Sequence, residues 1–151
     1  MKKQRTVTVH IFQTQKRYPV ALHPIKTLVN AFFRYYRLTH DEVTIHFVTK
    51  MQIGKIHEIH FNDPSPTDCI SFPMDADCDI GYKVLGEVFV CPAIAKEYAN
   101  AHQLDFQSEV ELYVVHGLLH LIGFDDLKDK ERTQMRKEEM KFINYFKKRC
   151  T

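Results

Sequence analysis

Apolar and polar residues alternate from Thr6 to Phe12, with Val7, Val9 and Ile11 on one face, and this period of two predicts a β-strand. Pro24–Leu38 instead carries Leu28, Phe32, Tyr35 and Tyr36 at helical spacing. Val43–Val48 is β-branched and alternating, so a second strand is expected there. A short helix over Met51–Ile59 follows, then a loop at Asn62-Asp-Pro-Ser-Pro, where two prolines remove backbone donors. Cys69–Phe72 and Gly86–Val90 predict two more strands, and Ala93–Ala101 a helix. Gln107–Ile122 is a long apolar helix that the pair Ser108 and Glu111 would open as a capping box and Gly123 would end. Lys128–Lys148 predicts a final amphipathic helix. The paired aromatics Phe32-Phe33 and Tyr35-Tyr36 read as core. The order of elements implies an α+β fold, a mixed sheet of roughly four strands covered by helices.

At 151 residues the chain suits one domain spanning 1–151, long enough to bury a core without covalent staples. Its 44% hydrophobic and 26% charged residues are those of a globular protein. The net charge of +2 is too small to demand a polyanionic partner, but its distribution is uneven. Lys128–Arg149 holds nine Lys/Arg against four Asp/Glu, whereas Phe61–Val90 holds six acids against Lys83 alone. The basic end is either a solvated face or a surface for phosphates. Cys69, Cys78, Cys91 and Cys150 form no CxxC pair and suggest free thiols in a reducing compartment. The basic Met1–Arg5 and the apolar positions after it read as the start of a strand rather than a leader peptide. No apolar run is long enough to span a bilayer, so no membrane partner is expected.

The chemistry concentrates in His116-Gly-Leu-Leu-His120. Residues four apart share one helix face, so both imidazoles can address one ion. Gly123 allows a left-handed turn that carries Asp125 or Asp126 back toward them. The pattern H-x3-H-x2-G-x2-D takes Asp126 as third ligand. Three protein ligands leave a coordination position open, the arrangement of a catalytic zinc site, and one Zn(2+) per chain is the expected cofactor. Leu118, Leu119, Leu121 and Ile122 would form a dry wall around it.

Two families use this spacing. The metzincin peptidases place a Glu directly after the first His as general base, and this chain has Gly117 there. The segment His116-Gly-Leu-Leu-His-Leu-Ile-Gly-Phe-Asp125-Asp126 more closely resembles the H-G-x-L-H-L-x-G-[YF]-D-H motif of the YbeY family. Pro66-Thr-Asp-Cys-Ile-Ser-Phe-Pro73 is similar to that family's P-T-D-V-L-S-F-P segment, and Leu85-Gly-Glu-Val-Phe-Val-Cys91 to its L-G-D-[IV]-x-I-[SC] strand. The resemblance implies a cytoplasmic, metal-dependent endoribonuclease specific for single-stranded RNA. Its expected roles are 16S rRNA 3'-end maturation and ribosome quality control, with rRNA and the small ribosomal subunit as partners. It also implies that His116 and His120 carry catalysis and that His116, His120 and Asp126 bind the metal. The alternatives are a metzincin-like hydrolase of another substrate and a non-catalytic ribosome-assembly factor with a structural metal.

The chain departs from the family pattern twice. Asp126 stands where the family has a third His, and a carboxylate there favours harder metals. Phe61 stands where the family has an Arg, with His57 and His60 as the nearest cations. Lys2, Lys3, Arg5, Lys128, Lys130 and Arg132 are candidates to offset phosphate charge. Asp75-x-Asp77-x-Asp79 resembles the start of a calcium loop, but Ile80 occupies the position of the required Gly, so it reads as a solvated loop. His10, His23, His40, His46 and His102 have no partner at ligand spacing and read as ordinary positions.

Overall fold

The computed structural model describes residues 6–74 and 81–149. The Asp75–Asp79 acids, Lys2, Lys3, Arg5, Cys78 and Cys150 lie outside the described residues. Four strands, β1 (Thr8–Gln13), β2 (Glu42–Phe47), β3 (Cys69–Pro73) and β4 (Val84–Val90), form one sheet in the order β1-β2-β4-β3. β1, β2 and β4 run parallel, and β3 returns antiparallel along β4. Five helices complete the described chain: α1 (Leu22–Tyr35), α2 (Lys50–Phe61), α3 (Pro92–His102), α4 (Phe106–Leu121) and α5 (Asp129–Arg149). The mixed four-stranded α+β architecture is the one the sequence pattern implied.

The main core lies between one sheet face and α1, α4 and α5. Val43, Ile45, Phe47, Val88 and Val90 supply the sheet side, and Leu28, Phe32, Leu118, Leu119 and Phe142 the helix side. Burying each such side chain contributes roughly 1.5–3 kcal/mol. Phe32 meets the edge of Phe142 at 5.2 Å, and Tyr35 and Tyr36 close the same cluster, so the α1 aromatics are core as expected. Tyr36 Oη donates to Glu138 Oε2 at 2.8 Å, which satisfies a buried carboxylate on α5. A smaller core of Val48, Ile53, Ile70 and Cys91 sits under α2 on the opposite face.

Two details differ from the expectations. The helix holding the two histidines does not open at Ser108. Its N-cap is Asp105, whose carboxylate accepts from the backbone N–H and hydroxyl of Ser108. Gln103, in the left-handed conformation at φ 56°, ends α3 and leaves only a short turn, so Asp105 reaches the cap first. The capping box instead occurs on α2, between Thr49 and Gln52. Leu118 and Leu119, expected to wall the metal site, are fully buried in the main core. Leu118 lies two residues from each His, on the opposite side of the helix, so it packs into the main core instead.

Candidate metal centre

α4 delivers His116 and His120 from its last turns, and the chain then reverses. The Gly123 N–H bonds to His120 O and the Phe124 N–H to Leu119 O. Gly123 takes φ 107°, a conformation that side-chain-bearing residues rarely adopt, and this turn swings Asp126 over the histidines. Arg132 on α5 donates to the carbonyls of Asp126 and Leu127 and pairs with Asp129, which ties the returning loop to the helix that follows it.

His116 Nε2 lies 3.1 Å from His120 Nε2 and 3.2 Å from Asp126 Oδ2, and His120 Nε2 is 3.5 Å from the same oxygen. A tetrahedral ion with bonds of about 2.0–2.2 Å holds its donors about 3.3–3.6 Å apart, so the three atoms, at 3.1, 3.2 and 3.5 Å, stand close to the spacing that an ion needs. Among the described residues this is the group of His and acidic side chains that can hold a metal, and it is the predicted set. Asp125 lines the adjoining cleft but offers no ligand to the group.

A fourth residue completes the arrangement. Glu139 of α5 places Oε1 2.6 Å from His116 Nδ1. A carboxylate accepts, so Nδ1 carries the proton and the Nε2 lone pair is left facing the triad, the usual way a protein orients a ligating imidazole. Burial alone would push the His116 pKa down, but the hydrogen bond and charge of Glu139, with Asp68 and Asp126, outweigh it, and the net shift is upward. No spacing rule links Glu139 to His116, 23 residues apart. The one local hint is the acidic pair Glu138-Glu139 on a basic helix.

Gly117 does not face the triad. A Cβ there would come within 2.4 Å of Val88 Cγ1 and 3.1 Å of Ser71 Oγ. Ser71 and Val88 are cross-strand partners, and Ser71 Oγ donates to Gly117 O at 2.8 Å. Gly117 is therefore where α4 touches the sheet, and a Glu at this position would collide with β4.

Two clefts flank the triad, and the segment around Thr67 borders both. One, of about 570 Å³, is lined by Asp68, Tyr98, Glu109, His116, Arg136 and Glu139 among others. The other, of about 400 Å³, is lined by His57, Phe61, Cys69, Ser71, His120 and Asp126 among others. Burial and the charges of Asp68, Asp126 and Glu139 push the Cys69 thiol well up, so it stays protonated and offers no thiolate. Burial likewise raises the Glu109 carboxyl, against a hydrogen bond from Tyr113. His57 lines the cleft beside Phe61, its Nδ1 donating to Ser65 O, whereas His60 packs on Phe72. Arg136, which the sequence did not single out, sits at the rim of the His116 cleft and makes no ion pair among the described residues.

The family model for Endoribonuclease YbeY matches residues 4–147. The chain belongs to the YbeY family. An Endoribonuclease YbeY from Protochlamydia amoebophila is 44% identical over 142 residues, which cover 94% of this chain and 95% of that one. The Chlamydia pneumoniae Endoribonuclease YbeY is 31% identical over 150 residues, 97% of this chain and 95% of the relative. The fold matches the solution structure of TM1509 from Thermotoga maritima with a TM-score of 0.62 at 22% identity, over 92% of this chain and 89% of that one. In this chain the motif helix, the P-T-D segment and the L-G-E strand are neighbours in space as well as in pattern. Ser71 of the second and Val88 of the third both touch Gly117 of the first.

Proposed function

We propose that this chain is a metal-dependent endoribonuclease specific for single-stranded RNA. Its proposed roles are 16S rRNA 3'-end maturation and ribosome quality control in the cytoplasm, on or beside the small ribosomal subunit. The observation that carries the reading is the convergence of His116 Nε2, His120 Nε2 and Asp126 Oδ2 at ligand spacing, open to solvent. The three side chains keep 20%, 24% and 35% of their surface exposed, which suits a reaction centre better than a closed structural site. Two imidazole nitrogens and one carboxylate oxygen suit zinc. When bound, such an ion supplies Lewis acidity toward a phosphoryl oxygen and lowers the pKa of water to roughly 7.

The protein's own groups do the rest. Glu139 holds the proton on His116 Nδ1 and fixes the ring plane. Arg132 holds the loop bearing Asp126 in place, so its charge is spent on structure rather than on substrate. The Arg136 guanidinium, which lines the His116 cleft, is available to meet an RNA phosphate there. The open clefts admit a splayed strand more readily than a duplex. Because Gly117 packs on Val88, the peptidase reading lacks both its base and the room for one.

Protein purified without chelator or nickel resin should carry about one zinc per chain by elemental analysis, and should cut a labelled single strand but not its duplex or casein. His120→Ala should lose both metal and cleavage. Cells lacking the protein should accumulate 3'-extended 16S precursor, corrected by wild type and not by His120→Ala. Peptide cleavage that disappears in His120→Ala would overturn the ribonuclease reading.

A further inference from the structure

A second surface, away from the metal, also has the chemistry of a nucleic-acid contact. The loop between β1 and α1 is built around Gln15, an amide only 5% exposed. Its Nε2 donates to Tyr18 O at 2.7 Å and to Gln13 Oε1 at 2.9 Å, and its Oε1 accepts from the Tyr18 N–H at 3.0 Å. Gln13 Oε1 also accepts from the Val20 N–H at 2.8 Å. A buried amide with these bonds satisfied pins a turn, and the turn presents Lys16 and Arg17 outward, both exposed. A cleft of about 330 Å³ opens beneath them, where Lys16, Arg17 and Lys50 face a single acid, Glu97, which Lys50 engages.

Aromatic rings continue the surface. Arg17 lies over the Tyr18 ring at 5.4 Å, Tyr18 meets Phe106 at 6.4 Å, and Lys96 lies over Phe106 at 5.4 Å. Cations interleaved with aromatic rings are how proteins hold single strands, with charge for the phosphates and rings for the bases. Phe106 is the first residue of α4 and His116 lies ten residues further on, so the patch is about 15 Å from the metal centre along the helix axis. Tyr98, stacked on His102 at 4.0 Å and lining the His116 cleft, stands on α3 between the two.

We infer that Lys16, Arg17, Tyr18, Lys50, Lys96 and Phe106 form a second contact for single-stranded RNA, which anchors the strand away from its cleavage point. The inference rests on the ribonuclease reading for its ligand, but on this surface alone for its location. The partner is the strand's backbone and unstacked bases rather than a specific sequence.

The test is fluorescence anisotropy of the full chain with a labelled single-stranded RNA, in chelator to prevent turnover, at several salt concentrations. Lys16→Gln/Arg17→Gln should weaken binding and reduce the slope of log affinity against log salt by about 1.4, from two contacts at about 0.7 each. Tyr18→Leu should weaken binding with the slope unchanged, because stacking releases no counterions. The control is Lys26→Gln/Arg34→Gln, the same charge change on the exposed face of α1, which should leave the slope as it is. An unchanged slope in Lys16→Gln/Arg17→Gln, or an equal fall in the α1 control, would overturn the inference, as would wild type that binds no RNA. Cleavage assayed separately with wild type and His120→Ala tells that failure apart from a failure of the ribonuclease reading.

Discussion

Glu139 Oε1 lies 2.6 Å from His116 Nδ1, the shortest contact between the last helix and the metal centre. The two residues come from different helices, α5 and α4, so the packing of α5 against α4 sets the orientation of an imidazole that could hold the metal. Loss of a carboxylate behind a ligating imidazole typically weakens metal affinity about 10–100-fold. Glu139→Gln should therefore weaken zinc binding by that factor in competition with a chromophoric chelator, while the far-ultraviolet dichroism stays the same. Affinity equal to wild type would mean that the contact is packing alone.

Asp126 and Asp125 are adjacent in sequence but not equivalent in space, since only Asp126 joins the triad. Asp126→Ala should lose most metal in elemental analysis, and Asp126→His should keep or tighten it. Asp125→Ala should behave as wild type. Metal loss in Asp125→Ala with retention in Asp126→Ala would reverse the assignment.

Gly117→Ala puts a methyl 2.4 Å from Val88 Cγ1, in a contact where the cross-strand pair beneath cannot easily retreat. Overpacking of this kind costs about 1–3 kcal/mol. Urea unfolding should show that loss with little change in the denaturant dependence, and metal affinity should fall as α4 is pushed off the sheet.

Acidity should oppose metal binding at higher pH than for a free histidine. His116 has its pKa raised in the folded chain by Glu139, Asp68 and Asp126, against the effect of burial. In chelator, protonated His116 therefore adds stability that is fully present below its unfolded value of about 6.5 and fades as pH rises through the folded value. Metal needs the neutral ring, so zinc affinity should start to fall above pH 6.5 on acidification. Glu139→Gln should move that fall to lower pH, and an unchanged midpoint in a metal titration across pH would contradict the coupling.

Much of this protein was legible in its chain. Each strand and helix lies within a few residues of where periodicity placed it, because periods of two and 3.6 are local properties of a buried face. The triad that could hold a metal was legible for a similar reason. His116 and His120 are one helical turn apart, and Gly123 is the residue that lets the chain double back to Asp126. What the chain alone left open was everything that depends on which elements meet. Only the sheet shows that Gly117 is required by Val88 rather than merely unfit as a base. Only the packing of α5 on α4 brings Glu139 to His116 and leaves Arg136 on the cleft rim while Arg132 is used up on a loop. The direction of Leu118 and Leu119, core and not cleft, follows from α1 and α5 packing on the sides of α4 that the sheet does not cover. These contacts join residues that are tens of positions apart, and their partners are chosen by burial of whole faces, which the spacing along one segment does not encode.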